Sequence, residues 1–149
     1  MPKNQNGLRP RVFFNASVIL AGLNSPTGGS GKLLSWCRNR KINGVISEIV
    51  MDETIRHTGK IGINPAHVRL AIKTIFGQIL EAPAKENVAK FDKIVIDPGD
   101  AHILASCYET KPDFLVTLDK KHLLSLTKKI KWVKIVSPGE LIRKLTKSA

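Results

Sequence analysis

Short apolar runs alternate with amphipathic stretches along the chain. Val12–Phe14, Gly44–Ile46, Lys93–Ile96, Phe114–Thr117 and Val133–Val136 read as buried strands. Between them, Ala16–Leu23, Gly31–Arg38, Glu48–Thr58, Pro65–Leu80, Gly99–Glu109, Lys120–Ser125 and Gly139–Lys144 carry helical spacing. Strands that alternate with helices predict an α/β protein whose parallel sheet is covered on both faces. Local punctuation agrees. Asn64 with Pro65, Asp97 with Pro98, and Ser137 with Pro138 each pair a capping side chain with a proline suited to a first helical turn. Lys60–Asn64 and Ala82–Asn87 read as connections, and residues 1–9 as a loose tail. No repeat or linker divides residues 1–149, so a single domain of ordinary size is expected.

The stretch "SPTGGSGKLL" contains GSGK, which suggests a phosphate-binding loop. That motif needs glycine where Pro26 stands and serine or threonine where Leu33 stands. A loop feeding a helix capped near Ser30 accounts for it better. Thiol chemistry fares no better. Cys37 and Cys107 form no CxxC pair, and His57, His67, His102 and His122 are scattered. The first ten residues lack the apolar core of a signal peptide, and no apolar run reaches the length of a membrane span. A cytoplasmic protein is expected.

Charge adds a direction. Lys and Arg number 24 against 12 Asp and Glu, a net charge of +12. Seven basic residues and no acid precede Glu48, while nine basic residues and one acid, Glu140, follow Asp119. Two accounts of these positive ends stand side by side: a solvated surface, or attraction for a polyanion such as RNA or DNA.

Polar side chains mark the carboxyl ends of the candidate strands. Asn15 follows VFF, Glu48 follows GVIS, Asp97 and Asp100 follow KIVI, and Asp119 follows FLVTL. In a parallel sheet such ends share one edge, so residues far apart in sequence can converge there. Carboxylates gathered this way repel one another unless a cation holds them, and hard divalent ions such as Mg²⁺ or Mn²⁺ suit oxygen ligands. Two such ions about 4 Å apart can orient a water and stabilise the departing oxygen of a phosphodiester. Taken singly, each acid has a plainer explanation. Asp97 precedes proline and can cap a helix. Asp100 suits a first helical turn. Asp52 and Glu53 are assigned to the solvated face of their helix.

The blocks "VFFNASVILAGL", "ISEIVMDE", "DPGDAHILASC" and "DFLVTLDKKHLL" resemble, in order, successive blocks of the PIN-domain family, named from the pilus-twitching protein N-terminus. The resemblance covers roughly Arg11 to Val136, and the segment after the first helix is similar to the toxin subgroup of toxin–antitoxin pairs. It implies a three-layer α/β/α sandwich with a central parallel sheet of about five strands. It also implies an Mg²⁺- or Mn²⁺-dependent endoribonuclease that leaves 5′-phosphate and 3′-hydroxyl ends, a small cognate antitoxin and a homodimer. Carried over by position, Glu48, Asp100 and Asp119 match the family's second, third and fourth acids, with Thr117 as the supporting hydroxyl and Asp97 beside them. Asn15 occupies the place of the first acid, which is usually Asp. An amide keeps one ligating oxygen but brings no charge, so either a weakened nuclease or a binding module without cleavage is open. Lys120, Lys121, Lys128, Lys129, Lys131 and Lys134 are candidates for gripping an RNA backbone.

Overall fold

The computed structural model describes residues 9–147. Five parallel strands form one sheet: β1 (Arg11–Phe14), β2 (Asn43–Ser47), β3 (Gln78–Leu80), β4 (Phe114–Val116) and β5 (Lys134–Val136), in the order β3-β2-β1-β4-β5. β1 is central, with Phe13 paired to Val45 on one side and Leu115 on the other. Its Val12, Phe13 and Phe14 are fully buried, as a strand covered on both faces requires.

Helices cover the sheet. α1 (Ala16–Asn24), α2 (Gly29–Arg38), α3 (Glu48–Lys60) and α4 (Pro65–Ile75) pack against one another, and α7 (Pro138–Lys147) packs on α2. α5 (Lys85–Phe91) and α6 (Ala101–Thr110) pack as a pair. The result is the three-layer α/β/α sandwich. Among the described residues, no helix is long and apolar enough to cross a membrane.

Several starts follow the local chemistry foreseen from sequence. Asn64 Oδ1 accepts from the Ala66 N–H at 2.8 Å, and Asp97 Oδ1 accepts from Gly99 N–H at 3.0 Å. Ser137 and Glu140 form a reciprocal pair: Ser137 Oγ accepts from Glu140 N–H at 3.2 Å, and Glu140 Oε1 from Ser137 N–H at 3.4 Å.

Four expectations give way. Lys93–Ile96 is not a strand; it lies in the turn between α5 and α6, with Val95 buried but Ile96 58% exposed. The fifth strand is instead Gln78–Leu80, which the sequence pattern assigned to the end of a long helix. That helix stops at Ile75 because Phe76 turns extended, and Gly77 is a poor helical residue. The stretch Ala82–Asn87 is only partly a connection, since α5 begins at Lys85 and seats Phe91 in the core. Lys120–Ser125 is not an α-helix but a series of turns leading to a 3-10 turn at Leu124–Leu126. The expected tail at residues 1–9 lies, save for exposed Arg9, outside the described residues.

The glycine-rich segment has a packing explanation. α2 is preceded by Gly28, which offers no side-chain cap, and Ser30 is buried within the helix instead of capping it. A Cβ on Gly31 would overlap the carbonyl of Pro26, and one on Gly22 would meet Leu34 Cδ1 at 2.5 Å. These glycines let α1, its loop and α2 approach closely.

Candidate metal centre

The carboxyl ends of β1, β2 and β4 and the start of α6 share one edge of the sheet. Asn15 leaves β1 with its N–H on the Val116 carbonyl at 3.0 Å, and its Oδ1 caps α1 by accepting from Ser17 N–H at 3.0 Å. Thr117, fully buried, places its Oγ1 on the Asp119 N–H at 3.0 Å. Ser17 Oγ accepts from Leu118 N–H at 3.2 Å, so the loop after β4 is tied to the start of α1. Asp119 is thus aimed by a buried hydroxyl and a fixed backbone.

Asp97, Asp100 and His122 each bring one ligating atom to within 4.8 Å of the others. Asp119 joins them through His122, whose Nδ1 stands 3.1 Å from Asp119 Oδ2. Asp100 Oδ2 is buried without a hydrogen-bond partner. Its carboxyl is pushed up from 3.8 to about 6, first by burial and then by the charges of Asp97 and Asp119; His122 pulls the other way, and Glu53 adds to the rise. A buried carboxylate oxygen left without a donor, among like charges, is a group that a cation or a proton would satisfy. The carboxylate oxygens are hard donors of the kind that suits Mg²⁺ or Mn²⁺, and the His122 imidazole stands beside them on Asp119.

Two glutamates of α3 are placed differently. Glu48 heads α3 in an exposed position, and its Oε1 accepts from Ala82 N–H at 3.0 Å, tying down the chain beyond β3. It is not among the charges that act on Asp100, whereas Glu53 is. Glu53, assigned to a solvated face, is half-buried on the next turn of α3. His122 was missed as well. Its only sequence signal is the spacing Asp-Lys-Lys-His, which lets a backbone turn fold the imidazole onto the carboxylate three residues earlier.

The cysteines take no part. Cys37 and Cys107 are buried free thiols, and burial pushes Cys37 up to about 12 and Cys107 further in the same direction.

Residues 11–121 match the profile described as "PIN domain". The chain belongs to the PIN-domain family. Solved structures share its fold, three of them as follows. A toxin–antitoxin complex from Klebsiella pneumoniae contains a chain 21% identical, with a TM-score of 0.64 over 85% of this chain and 97% of that one. PAE2754 from Pyrobaculum aerophilum is 18% identical with a TM-score of 0.61, covering 93% of this chain and 96% of its own. VapBC2 from Rickettsia felis, bound to a DNA fragment from its promoter, contains a chain 15% identical with a TM-score of 0.61, over 85% and 98% of the two chains. No curated protein matches the sequence. In this PIN domain the acidic edge spans the matched region, from Asn15 in its first block to Asp119 in its last.

Proposed function

We propose that this PIN domain is a metal-dependent endoribonuclease acting on single-stranded RNA, and the toxin of a toxin–antitoxin pair. The observation that carries the chemistry is the partnerless buried oxygen of Asp100 among Asp97, Asp119, His122 and Glu53. Asp100 and Asp119 would hold Mg²⁺ or Mn²⁺, with Glu53 in the role that position alone assigned to Glu48, and Asn15 as a neutral neighbour at the end of β1. A bound ion would supply the positive charge that draws in the phosphate and makes water more acidic.

The chain's own residues do the rest. Thr117 orients Asp119 through the backbone, and His122 holds both of its oxygens. Carboxylates facing the phosphate can accept the proton released as water attacks phosphorus in line. The bond from phosphorus to the 3′ oxygen breaks, and that oxygen takes up a proton. Ends bearing a 5′-phosphate and a 3′-hydroxyl result.

Support for a nucleic-acid substrate is the +12 charge, with Lys120, Lys121, Lys128, Lys129 and Lys131 all exposed beyond Asp119. Arg11 and Arg40 are less available. Arg11 Nη1 donates to the Thr110 carbonyl at 2.7 Å, and Arg40 Nη1 to the Cys37 and Ile75 carbonyls at 3.0 and 2.9 Å. Support for a small antitoxin partner is the toxin–antitoxin setting of two of the similar structures. A homodimer and a cytoplasmic location complete the proposal, the latter in keeping with the two free buried thiols.

A labelled single-stranded RNA incubated with Mg²⁺ or Mn²⁺, and with a chelator, tests the chemistry. Cleavage with metal, lost in the chelator and in Asp100→Asn, is the expected result. Absence of cleavage under all metals, with RNA binding intact, favours the second reading, a binding module silenced by the missing charge at Asn15.

A further inference from the structure

Away from the acidic edge, three aromatic rings come together. Phe91 lies 5.8 Å, centroid to centroid, from both Tyr108 and Trp132, and Tyr108 meets Trp132 edge-on at 5.9 Å and 80°. Phe91 belongs to the core, but Tyr108 and Trp132 stay 40% and 43% exposed. Lys90 Nζ sits 4.5 Å from the Tyr108 ring centre and donates to its hydroxyl at 3.3 Å. Packing on Phe91 accounts for the covered parts of Tyr108 and Trp132; it does not account for the two fifths of each residue left open to solvent.

The surrounding charge narrows the occupant. Residues 120–134 carry six lysines, all exposed, and no acid. This segment begins at the acidic cluster, where His122 sits, and ends at Trp132 and Lys134. Protein interfaces are depleted of lysine. A single-stranded nucleic acid pairs a phosphate chain with flat π-faces, and both halves of that chemistry have a counterpart here.

We propose that Tyr108 and Trp132 form a stacking platform for bases of a single-stranded RNA whose backbone follows the lysines of residues 120–134 from the acidic cluster. The proposal rests on the nuclease reading above. Asp100 and Tyr108 lie eight residues apart at opposite ends of α6, about 12 Å at 1.5 Å per residue. At an axial rise of about 3.4 Å per nucleotide in a stacked strand, that is three or four nucleotides. An RNA of about three nucleotides can then occupy the acids or the platform, while one of about ten reaches both. Stacking on aromatic rings is tolerant of sequence, so the platform would add affinity without selecting a base.

The test uses fluorescein-labelled RNAs of about three and about ten nucleotides, with a chelator present so that nothing is cleaved. Trp132→Leu and Tyr108→Leu should each weaken the longer RNA about fivefold or more, and Trp132→Phe should stay near wild type. In a Trp36→Phe background, which leaves Trp132 as the sole indole, the longer RNA should quench the intrinsic fluorescence even if a leucine variant folds poorly. Unquenched fluorescence and unchanged affinity, in a protein that still cleaves RNA with metal, would overturn the platform and spare the nuclease. If leucine variants bind RNA normally but sediment as smaller species, the rings serve a contact between protein chains and the platform is wrong. Loss of both binding and cleavage in the wild type would remove both proposals.

Discussion

His122 grips both oxygens of the Asp119 carboxylate: its backbone N–H donates to Oδ1 at 2.9 Å, and its Nδ1 stands 3.1 Å from Oδ2. One residue thereby sets the orientation of an acid whose own backbone is held by Thr117. Removing the imidazole frees Oδ2 but leaves the backbone bond. His122→Ala should therefore keep the fold and weaken Mn²⁺ binding about tenfold, as losses of outer-shell partners commonly do. His122→Gln, which restores a donor, should recover part of it. Calorimetry decides, and equal affinity in all three proteins would show that the imidazole does not position the acid.

Glu53 and Glu48 make a matched pair of tests on one helix. Glu53→Gln should lower metal affinity and any cleavage by about tenfold or more, because its charge acts on Asp100. Glu48→Gln should leave both nearly unchanged while slightly loosening the chain at Ala82. The reverse outcome would restore Glu48 to the metal centre.

Stability should depend on pH through Asp100. Its carboxyl binds a proton more tightly in the fold, at about 6, than at its ordinary value of 3.8. The stabilising contribution of the protonated form is complete below 3.8 and is lost as pH rises through 6. Asp100→Asn, neutral throughout, should therefore gain melting temperature relative to the metal-free wild type as pH goes from about 4 to about 7. Thermal unfolding in chelator reads this directly. A gap between the two proteins that does not change with pH would contradict the crowding of Asp100 by Asp97 and Asp119.

Asn15→Asp should preserve α1, since aspartate caps a helix as well as asparagine does and Ser17 N–H would keep its acceptor. The added charge should tighten Mn²⁺ binding. A unit charge at 4 Å is worth up to about 4 kcal/mol at an effective dielectric near 20, and a quarter of that already gives roughly fivefold. Calorimetry showing no gain would mean that this side chain does not face the acids.

What was legible from sequence is what local chemistry controls. The alternation of apolar runs and helical spacing predicted the parallel α/β sandwich. Asn64, Asp97 and Ser137 act as caps because the groups they satisfy lie within three residues. Asp119 could be singled out because it follows a strand whose carboxyl end lies on that edge, whereas Asp100 reaches it from the start of α6 and not from the strand expected at Lys93–Ile96.

The tertiary structure decided the rest. Whether Gln78–Leu80 or Lys93–Ile96 becomes a strand turns on which run finds a partner edge. β2 offers its edge to Gln78, with Val45 opposite, and α5 and α6 pack together with no strand between them. Both runs are too short for periodicity to separate strand from helix or turn. Glu53 rather than Glu48 bears on Asp100 because five residues of helix turn a side chain to another face, and the packing of α3 against α1 and α4 fixes which face that is. His122 joins the centre through a turn that no helical or strand pattern encodes. The platform of Tyr108 and Trp132 draws its rings from segments 24 residues apart, which only the folded chain brings within 5.9 Å.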